Sequence, residues 1–492
     1  MAFADQTPPT ARWRLPAADD VRHSLTTPAG AALLALLAGA LVGVGAAFGP
    51  LYVAAGIAAL GAAYFLLTST MAGIVVVFAI ITLLPFGTLP FSIGITPTLL
   101  SLALAGLLLV WLLRILARSD QYDLTLSPLG LPILGFLGFT FFSLILGAGG
   151  LPDTTTLHNY AKFVLGVLLY FSLINCIQSR EQARFVLRAA ILLGSAAAAL
   201  GLVLVLLPDE LTLRILTALG RIGYPTDGRV LRYVEDDPDG LERAIATAVD
   251  PNSFGGMLAL VGALTAAQIV VAKPVLPRWV LIGLSGVIGL ALLLTFSRAA
   301  LFGIIFAAIY LATLRYRRLW WGMGAAIVLG LVLMASVGIA DDFIERVAEG
   351  VQFRDQAQQM RLAEYQNAVN IIARYPFFGI GFGAAPEIDL VAGVSSIYLT
   401  IGQRMGLIGL AAFLAIVAAW FALTLQALPR LDEERAAWLL GCQAGLVAAL
   451  AVGLADHYFF NIEFSHMVAL FWGCMGLGMA VALLADAEAE HI

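Results

Sequence analysis

The sequence predicts an all-α integral membrane protein, and three observations carry that expectation. Hydrophobic residues make up 61% of the 492 residues and charged residues only 12%. The mean hydropathy is +0.94, far above what a water-facing surface allows. Apolar runs recur along the whole chain, and a bilayer core of ~30 Å takes about 20 such residues per helix.

Taken in order, the runs give about fourteen spans (twelve to fourteen), near 30–48, 51–69, 71–87, 97–117, 128–148, 160–178, 184–207, 254–272, 280–296, 299–314, 319–339, 405–427, 436–455 and 465–485. The stretch from Ser24 to Leu113 has no ionised side chain, and Ser69-Thr70 is a weak break within it. A polar tail (1–28) without an obvious small-residue cleavage site precedes the first run, so a cleaved signal peptide is not expected. Residues 29–207 form the amino-terminal membrane helices, 208–253 a loop, 254–485 a second membrane region containing the loop 340–402, and 486–492 a short tail.

Basic residues fall at Arg12/Arg14/Arg22, Arg114/Arg118, Arg180/Arg184/Arg188, Lys273/Arg278, Arg315/Arg317/Arg318 and Arg430/Arg435. With fourteen spans they all lie on one side, which the positive-inside rule makes the cytoplasm, together with both termini. The two long loops then face outward, and a protein whose sizeable loops are external works on that face. The first includes EDDPDGLER (235–243). The second contains DQAQQMRLAEYQNAVNIIARYP (355–376), where Leu362, Val369 and Ile372 recur at helical spacing and Pro376 stops the helix. Arg354 and Arg361, seven residues apart, share a face of that helix if it begins early enough, and the helix is expected to lie across the mouth of the bundle with this cationic face turned inward.

Arg298 is the only charge between Val280 and Leu314. As one helix that run would measure about 52 Å, too long for one crossing. It must fold back at Phe296-Ser297-Arg298, placing the arginine at the outer end. It either snorkels to lipid phosphates or faces a polar cavity, where its fork of donors suits a diphosphate.

GIGFG (379–383) follows a helix and precedes a loop, the reverse of a nucleotide fingerprint, so its glycines are read as tight turns. Asp250 or Asn252 of DPNS caps the next span. Tyr398 and Arg404 either anchor the interface or join a site. In DHYFFN (456–461), Asp456 and His457 are an acid–base pair or merely structural. His158 and Lys162 lie near the outer end of the sixth span. The histidines form no ligand set, and Cys176, Cys442 and Cys474 read as packing residues with neither disulfide nor metal. No basic, aromatic-interleaved patch suggests nucleic acid.

Four pieces in this order resemble the O-antigen ligase and O-antigen polymerase superfamily of bacterial membrane glycosyltransferases: TFSRAALFG, MRLAEYQNAVNIIARYPFFGIGFG, YL followed by MGLIG, and DHYFFN. Residues 250–410 carry the match; the amino-terminal half matches in topology only. The resemblance implies a GT-C-like fold in the cytoplasmic membrane with the site on its external face. It also implies an undecaprenyl-diphosphate-linked glycan as donor and a glycan hydroxyl as acceptor, with neither nucleotide sugar nor metal nor other cofactor. Arg298 and Arg361 match the arginines implied to hold the diphosphate, with Arg354, Arg404, Lys162 and Tyr398 as further substrate-binding candidates. Ligases carry His-Asn just before YL; here Ser395-Ser396 stand there. A serine hydroxyl is a poor base at neutral pH, which favours a surface polysaccharide polymerase over a ligase acting on lipid A core or a protein O-oligosaccharyltransferase. The base is left open among Asp389, Glu387 and His457. A transporter or lipid flippase is the rival class, but the spans lack the mid-membrane polar residues and paired helix breaks it needs.

Overall fold

A computed structural model describes residues 69–89, 95–117, 124–226, 228–321, 356–383 and 393–489, plus isolated positions within 27–64 and 323–328. Described helices are α1 (Thr70–Leu83), α2 (Leu99–Ala117), α3 (Gly130–Leu146), α4 (Thr154–Cys176), α5 (Arg180–Leu206), α6 (Asp209–Ala218) and α7 (Pro251–Ile269). They continue with α8 (Arg278–Leu294), α9 (Arg298–Leu314), α10 (Gln356–Arg374), α11 (Ile397–Ala427), α12 (Glu433–Val452) and α13 (Ser465–Ala489). Among the described residues there is no strand, only the isolated bridges Thr88–Thr98 and Tyr233–Glu242.

Seven of these helices are long and apolar enough to cross a membrane, and α1, α3, α8 and α9 are shorter apolar helices of 14 to 17 residues. Eleven of the expected spans therefore coincide with helices. The expected spans 30–48, 51–69 and 319–339 fall almost wholly outside the described residues. Two expected starts were late: α4 begins at Thr154, where Asp153 caps it by accepting from the Thr156 N–H, and α11 begins at Ile397.

Packing explains why apolar residues occupy both faces of many helices. Trp420, Trp438, Trp472, Tyr170 and Phe136 are buried in one continuous core that draws on both halves of the chain. Outward, Leu131, Phe302 and Ile282 stay exposed at 74%, 59% and 56%, as residues facing hydrocarbon should. Several interior polar groups pair internally, as a lipid solvent demands. The Thr140 and Tyr160 hydroxyls lie 2.7 Å apart, Ser127 and Tyr170 likewise, and the Gln443 amide donates to Thr424 at 2.9 Å.

The described basic residues that the sequence assigns to the cytoplasmic connections gather at one end of the bundle. Arg180 pairs with Asp432 and Glu434, Arg184 with Glu434, and Arg435 with Asp432. Arg188 donates to the Val275 carbonyl and Arg278 to those of Ile269 and Val271. Arg114 lies beside Cys176, and Tyr316, next to Arg315, lies in the field of Glu433. Helix α12 runs from this end to the other, about 30 Å away at 1.5 Å per residue.

Candidate functional site

The opposite end of α12 opens into the loop that carries Asp456, and the site is built around this residue. Its side chain is only 4% exposed, and Oδ2 has no hydrogen-bond partner. Burial pushes the carboxyl up to about 7, with Asp250 and Glu364 adding to the rise while Arg361 and Arg243 oppose it. Two cations and two further carboxylates thus act on one buried acid.

The neighbours arrive from three places in the chain. Asp250 caps α7, accepting from the N–H groups of Asn252 and Ser253 at 2.8 and 3.0 Å, the capping role its sequence position suggested. Arg243 comes from the loop between α6 and α7. It donates to the Thr295 carbonyl at 2.8 Å and to Asn252 Oδ1 at 2.9 Å, which fixes it against the α8–α9 hairpin. Burial depresses its pKa, opposed by Asp250 and Asp456, yet an arginine so perturbed stays charged near neutrality.

Arg361 and Glu364 come from α10. Its inward face holds Ala368 and Ile371, while Leu362 and Val369 stay exposed at 45% and 55%. The face of α10 that carries Arg361 is the one turned toward Asp456, and Leu362 and Val369 lie outside it. What sets the face is a polar anchor: the Ser395 N–H and hydroxyl both donate to Glu364, at 3.0 and 2.8 Å. The Tyr365 hydroxyl donates to the carbonyls of Ser395 and Leu454 at 3.0 and 3.3 Å. Neither serine of the Ser395-Ser396 pair is idle, since Ser396 Oγ donates to the Gly453 carbonyl at 3.2 Å.

Arg298 opens α9 behind a sharp turn in which Phe296 has φ +51° and Ser297 caps the helix. The expected hairpin is present. A Cβ on Gly303 would sit 2.7 Å from Val452 and 2.9 Å from the Ala448 carbonyl, so α9 lies hard against the last turns of α12. Its amino terminus is therefore level with the 453–457 loop, and Arg298 and Arg361 lie at the same end of the bundle. Arg298 is exposed, and the inward cation beside this hairpin is Arg243.

GIGFG forms the floor of an adjoining cleft. Gly379 and Gly381 have φ of +65° and +72°, and a Cβ at either would fall about 2.3 to 2.5 Å from a backbone oxygen, of Gln403 and Ser143 respectively. The loop threads between α3 and a break in α11 at Gly406 (φ 66°, ψ −172°). There the Ile380 and Gly381 N–H groups donate to the carbonyls of Gln403 and Arg404, at 2.8 and 3.0 Å, and the Leu407 N–H donates to the Pro376 carbonyl at 2.7 Å. Arg404 donates to the carbonyls of Gly381 and Gly383, at 3.2 and 2.7 Å, which holds the loop closed.

The cleft itself has a volume of about 800 Å³; Arg404, Gln403, Phe382, His457 and Glu463 contribute to its wall. The His457 ring stacks on Tyr458 at 4.7 Å, and its buried Nδ1 has no partner. Burial lowers its pKa, so the imidazole is neutral at pH 7. A second cleft of about 420 Å³ contains Lys162 and His158 and shares Thr155, Asn159 and Glu463 with the first. The Tyr398 hydroxyl donates to the Leu450 carbonyl at 2.9 Å and lines neither cleft. Arg354, Glu387 and Asp389 lie outside the described residues. Among the described residues no three His, Cys, Asp or Glu side chains form a group able to hold a metal ion.

Arg243 and Glu463 escaped the sequence reading. Arg243 ends a run of mixed charge that reads as a solvated loop, and only its contacts with Thr295 and Asn252 reveal its inward position. Glu463, two residues beyond DHYFFN, borders both clefts.

The fold and this site define a class: a multi-pass helical membrane protein with a cationic, acid-centred cluster beside open clefts at one end. Residues 283–414 match the family model described as O-Antigen ligase. That stretch includes Arg298, Arg361, Tyr398 and Arg404, and the match supports the superfamily resemblance and a role in glycan transfer at a membrane. No curated protein matches the chain. Among solved structures, a chain from "Structural coordination of polymerization and crosslinking by a peptidoglycan synthase complex" is similar at 20% identity and a TM-score of 0.40, over 74% of this chain and 98% of that one. That likeness is too distant to carry an argument about fold or function.

Proposed function

We propose that the chain is an integral membrane glycosyltransferase. It moves an undecaprenyl-diphosphate-linked glycan to a sugar hydroxyl on the external face of the bacterial cytoplasmic membrane, as a surface polysaccharide polymerase. The observation that carries this reading is the convergence of Arg243 and Arg361 on buried Asp456 beside a cleft walled by His457 and Arg404. The basic residues at the far end of α12 support a cytoplasmic assignment for that end, which leaves the Asp456 end outside.

In this reading the diphosphate sits on Arg243 and Arg361, with Arg298 at the rim. Guanidinium groups suit it because they pair bidentately with phosphate oxygens. Asp456 stands between the arginines as a carboxyl that protonates near neutrality, so it gives way to an anion. The acceptor hydroxyl attacks the anomeric carbon from the cleft side. The new C–O bond forms as the carbon–phosphate-oxygen bond breaks, and the diphosphate leaves with the electron pair. Neutral His457 takes the hydroxyl proton, and a single displacement inverts the anomeric centre. Stabilising the leaving group supplies most of the rate. No step needs a metal, because the guanidinium groups supply the positive charge.

Polymerase is favoured over ligase by Ser395-Ser396, whose hydroxyls are committed to Glu364 and Gly453 and stand where ligases carry His-Asn. The test is purified protein in vesicles supplied with lipid-linked oligosaccharide. Chain growth with release of polyprenyl diphosphate is expected. Movement of the lipid across the bilayer with no new glycosidic bond would identify a transporter instead.

A further inference from the structure

The smaller cleft takes no part in the chemistry above, yet it is built in polar material. Its volume is about 420 Å³, within the range of roughly 300–1,000 Å³ typical of small-molecule sites. Thr96, Thr154, Thr155 and Asn159 present neutral donors and acceptors to it, and Lys162 and Glu463 add one charge of each sign. Glu463 lies in the field of Lys162, but no ion pair within 4 Å joins them among the described residues. A wall of fixed neutral hydroxyl and amide groups with balanced charge suits a polyhydroxylated ligand better than an anion. Thr155, Asn159 and Glu463 belong to both clefts, so the two are neighbouring compartments of one groove.

Neither Arg243 nor Arg361 lines either cleft. His457 walls the larger cleft, whereas neighbouring Asp456, on which Arg243 and Arg361 act, lines neither cleft. An in-line displacement puts the leaving group and the nucleophile on opposite sides of the reacting carbon. We infer that the smaller cleft is a saccharide subsite that holds the acceptor glycan beyond its reacting sugar. The larger cleft holds the reacting sugar, and the chain continues past Asn159 and Glu463. This assignment deepens the transferase reading and rests on it for the word acceptor; saccharide binding in the smaller cleft does not depend on it.

The test uses full-length protein in detergent and two probes. One is a size series of oligosaccharides released by mild acid from the surface polysaccharide of the source cells. The other is farnesyl diphosphate, a short mimic of the donor headgroup. Thr96→Trp fills the cleft from an exposed position, and Asn159→Ala removes donors and acceptors from the shared wall. Both variants should raise the Kd of the longer oligosaccharides about 10-fold or more, the loss of roughly one or two good hydrogen bonds or their space. Farnesyl diphosphate binding should not change, and in the transfer assay the KM for acceptor should rise while saturating kcat holds. Failure of the native protein to bind any oligosaccharide, or equal binding by native protein and both variants, overturns the subsite. Loss of farnesyl diphosphate binding in both variants also overturns it, since the cleft then serves the headgroup. If the variants lose oligosaccharide binding but the native protein makes no glycosidic bond in vesicles, the subsite stands and the transferase reading falls.

Discussion

The two ends of α12 carry charge clusters of similar size and opposite design. At the Glu434 end Glu434 and Asp432 meet their cations directly. Both Glu434 oxygens are taken by Arg180 and Arg184, and Asp432 lies 3.2 Å from Arg180 and 2.9 Å from Arg435. Burial pushes the Asp432 carboxyl up, but the Arg435 N–H and the two guanidinium groups outweigh it, and it titrates below its usual range. At the Asp456 end Arg243 and Arg361 act on buried Asp456, and among the described residues neither forms an ion pair within 4 Å with it, Asp250 or Glu364. There burial wins, and Asp456 titrates near 7. A closed cluster stabilises the fold; one whose cations are held apart from their acids is ready for an outside anion.

Exchanging function for stability at each end is the strongest way to break that contrast. Arg361→Ala and Arg243→Ala should each lower glycan transfer about 100- to 1,000-fold, the scale for losing one preorganised electrostatic group. The detergent melting temperature should change little in Arg361→Ala, whereas Arg243→Ala should also lower it, because its hydrogen bonds to Thr295 and Asn252 are lost. Normal transfer at normal protein level in either variant would remove that arginine from the mechanism. Glu434→Ala should do the reverse. It strips a buried acid from the partly exposed Arg180 and Arg184 and should cost about 1 to 2 kcal/mol of stability, while transfer per folded molecule holds. A thermal melt beside a single-turnover assay reads both quantities. If Glu434→Ala melts like the native protein, the closed cluster is decorative and the contrast fails.

This division was only half legible in the sequence. The spans were legible because length and apolarity are local properties, and eleven of the expected positions hold helices. The α8–α9 hairpin was legible because Val280 to Leu314 is too long for one crossing. The inward cationic face of α10 was legible in Arg361, but what fixes it was not: Glu364 and Tyr365 grip Ser395 and Leu454, contacts across 30, 31 and 89 residues that periodicity cannot see. Asp456 and His457 were conspicuous as an acid and a base, but their burial, and so their protonation at pH 7, depends on loops folding over them. Arg243 was invisible for the same reason, because a charged loop reads as solvated until a distant hairpin supplies its partners.

The titration of Asp456 offers a sharper measure of the same contrast. Its carboxyl is raised to about 7. Below that pH the neutral acid leaves Arg243 and Arg361 to the diphosphate; above it the carboxylate competes for them. Farnesyl diphosphate should therefore bind less tightly at pH 8 than at pH 6, by about 3- to 10-fold for one competing charge. Asp456→Asn should lose that part of the pH dependence and keep only what the ligand's own ionisation contributes. Parallel pH profiles for the two proteins would show that Asp456 does not face the bound anion. Asp432 should show no such effect, since direct partners hold its carboxyl below the usual range.

The smallest expected effect tests where the site stops. Tyr398 lies in the first turn of α11, between Ser396, which bonds to Gly453, and Arg404, which walls the larger cleft. Sequence position alone makes it a substrate-binding candidate. Its hydroxyl, however, is spent on the Leu450 carbonyl inside the helix packing, the kind of internal satisfaction that membrane interiors require. Tyr398→Phe should cost about 1 kcal/mol of stability, the net worth of one hydrogen bond, and leave transfer within about twofold. A fall in transfer of more than 10-fold with an unchanged melt would place Tyr398 against substrate, and the site would then extend from the cluster around Asp456 down the face of α11 toward the membrane.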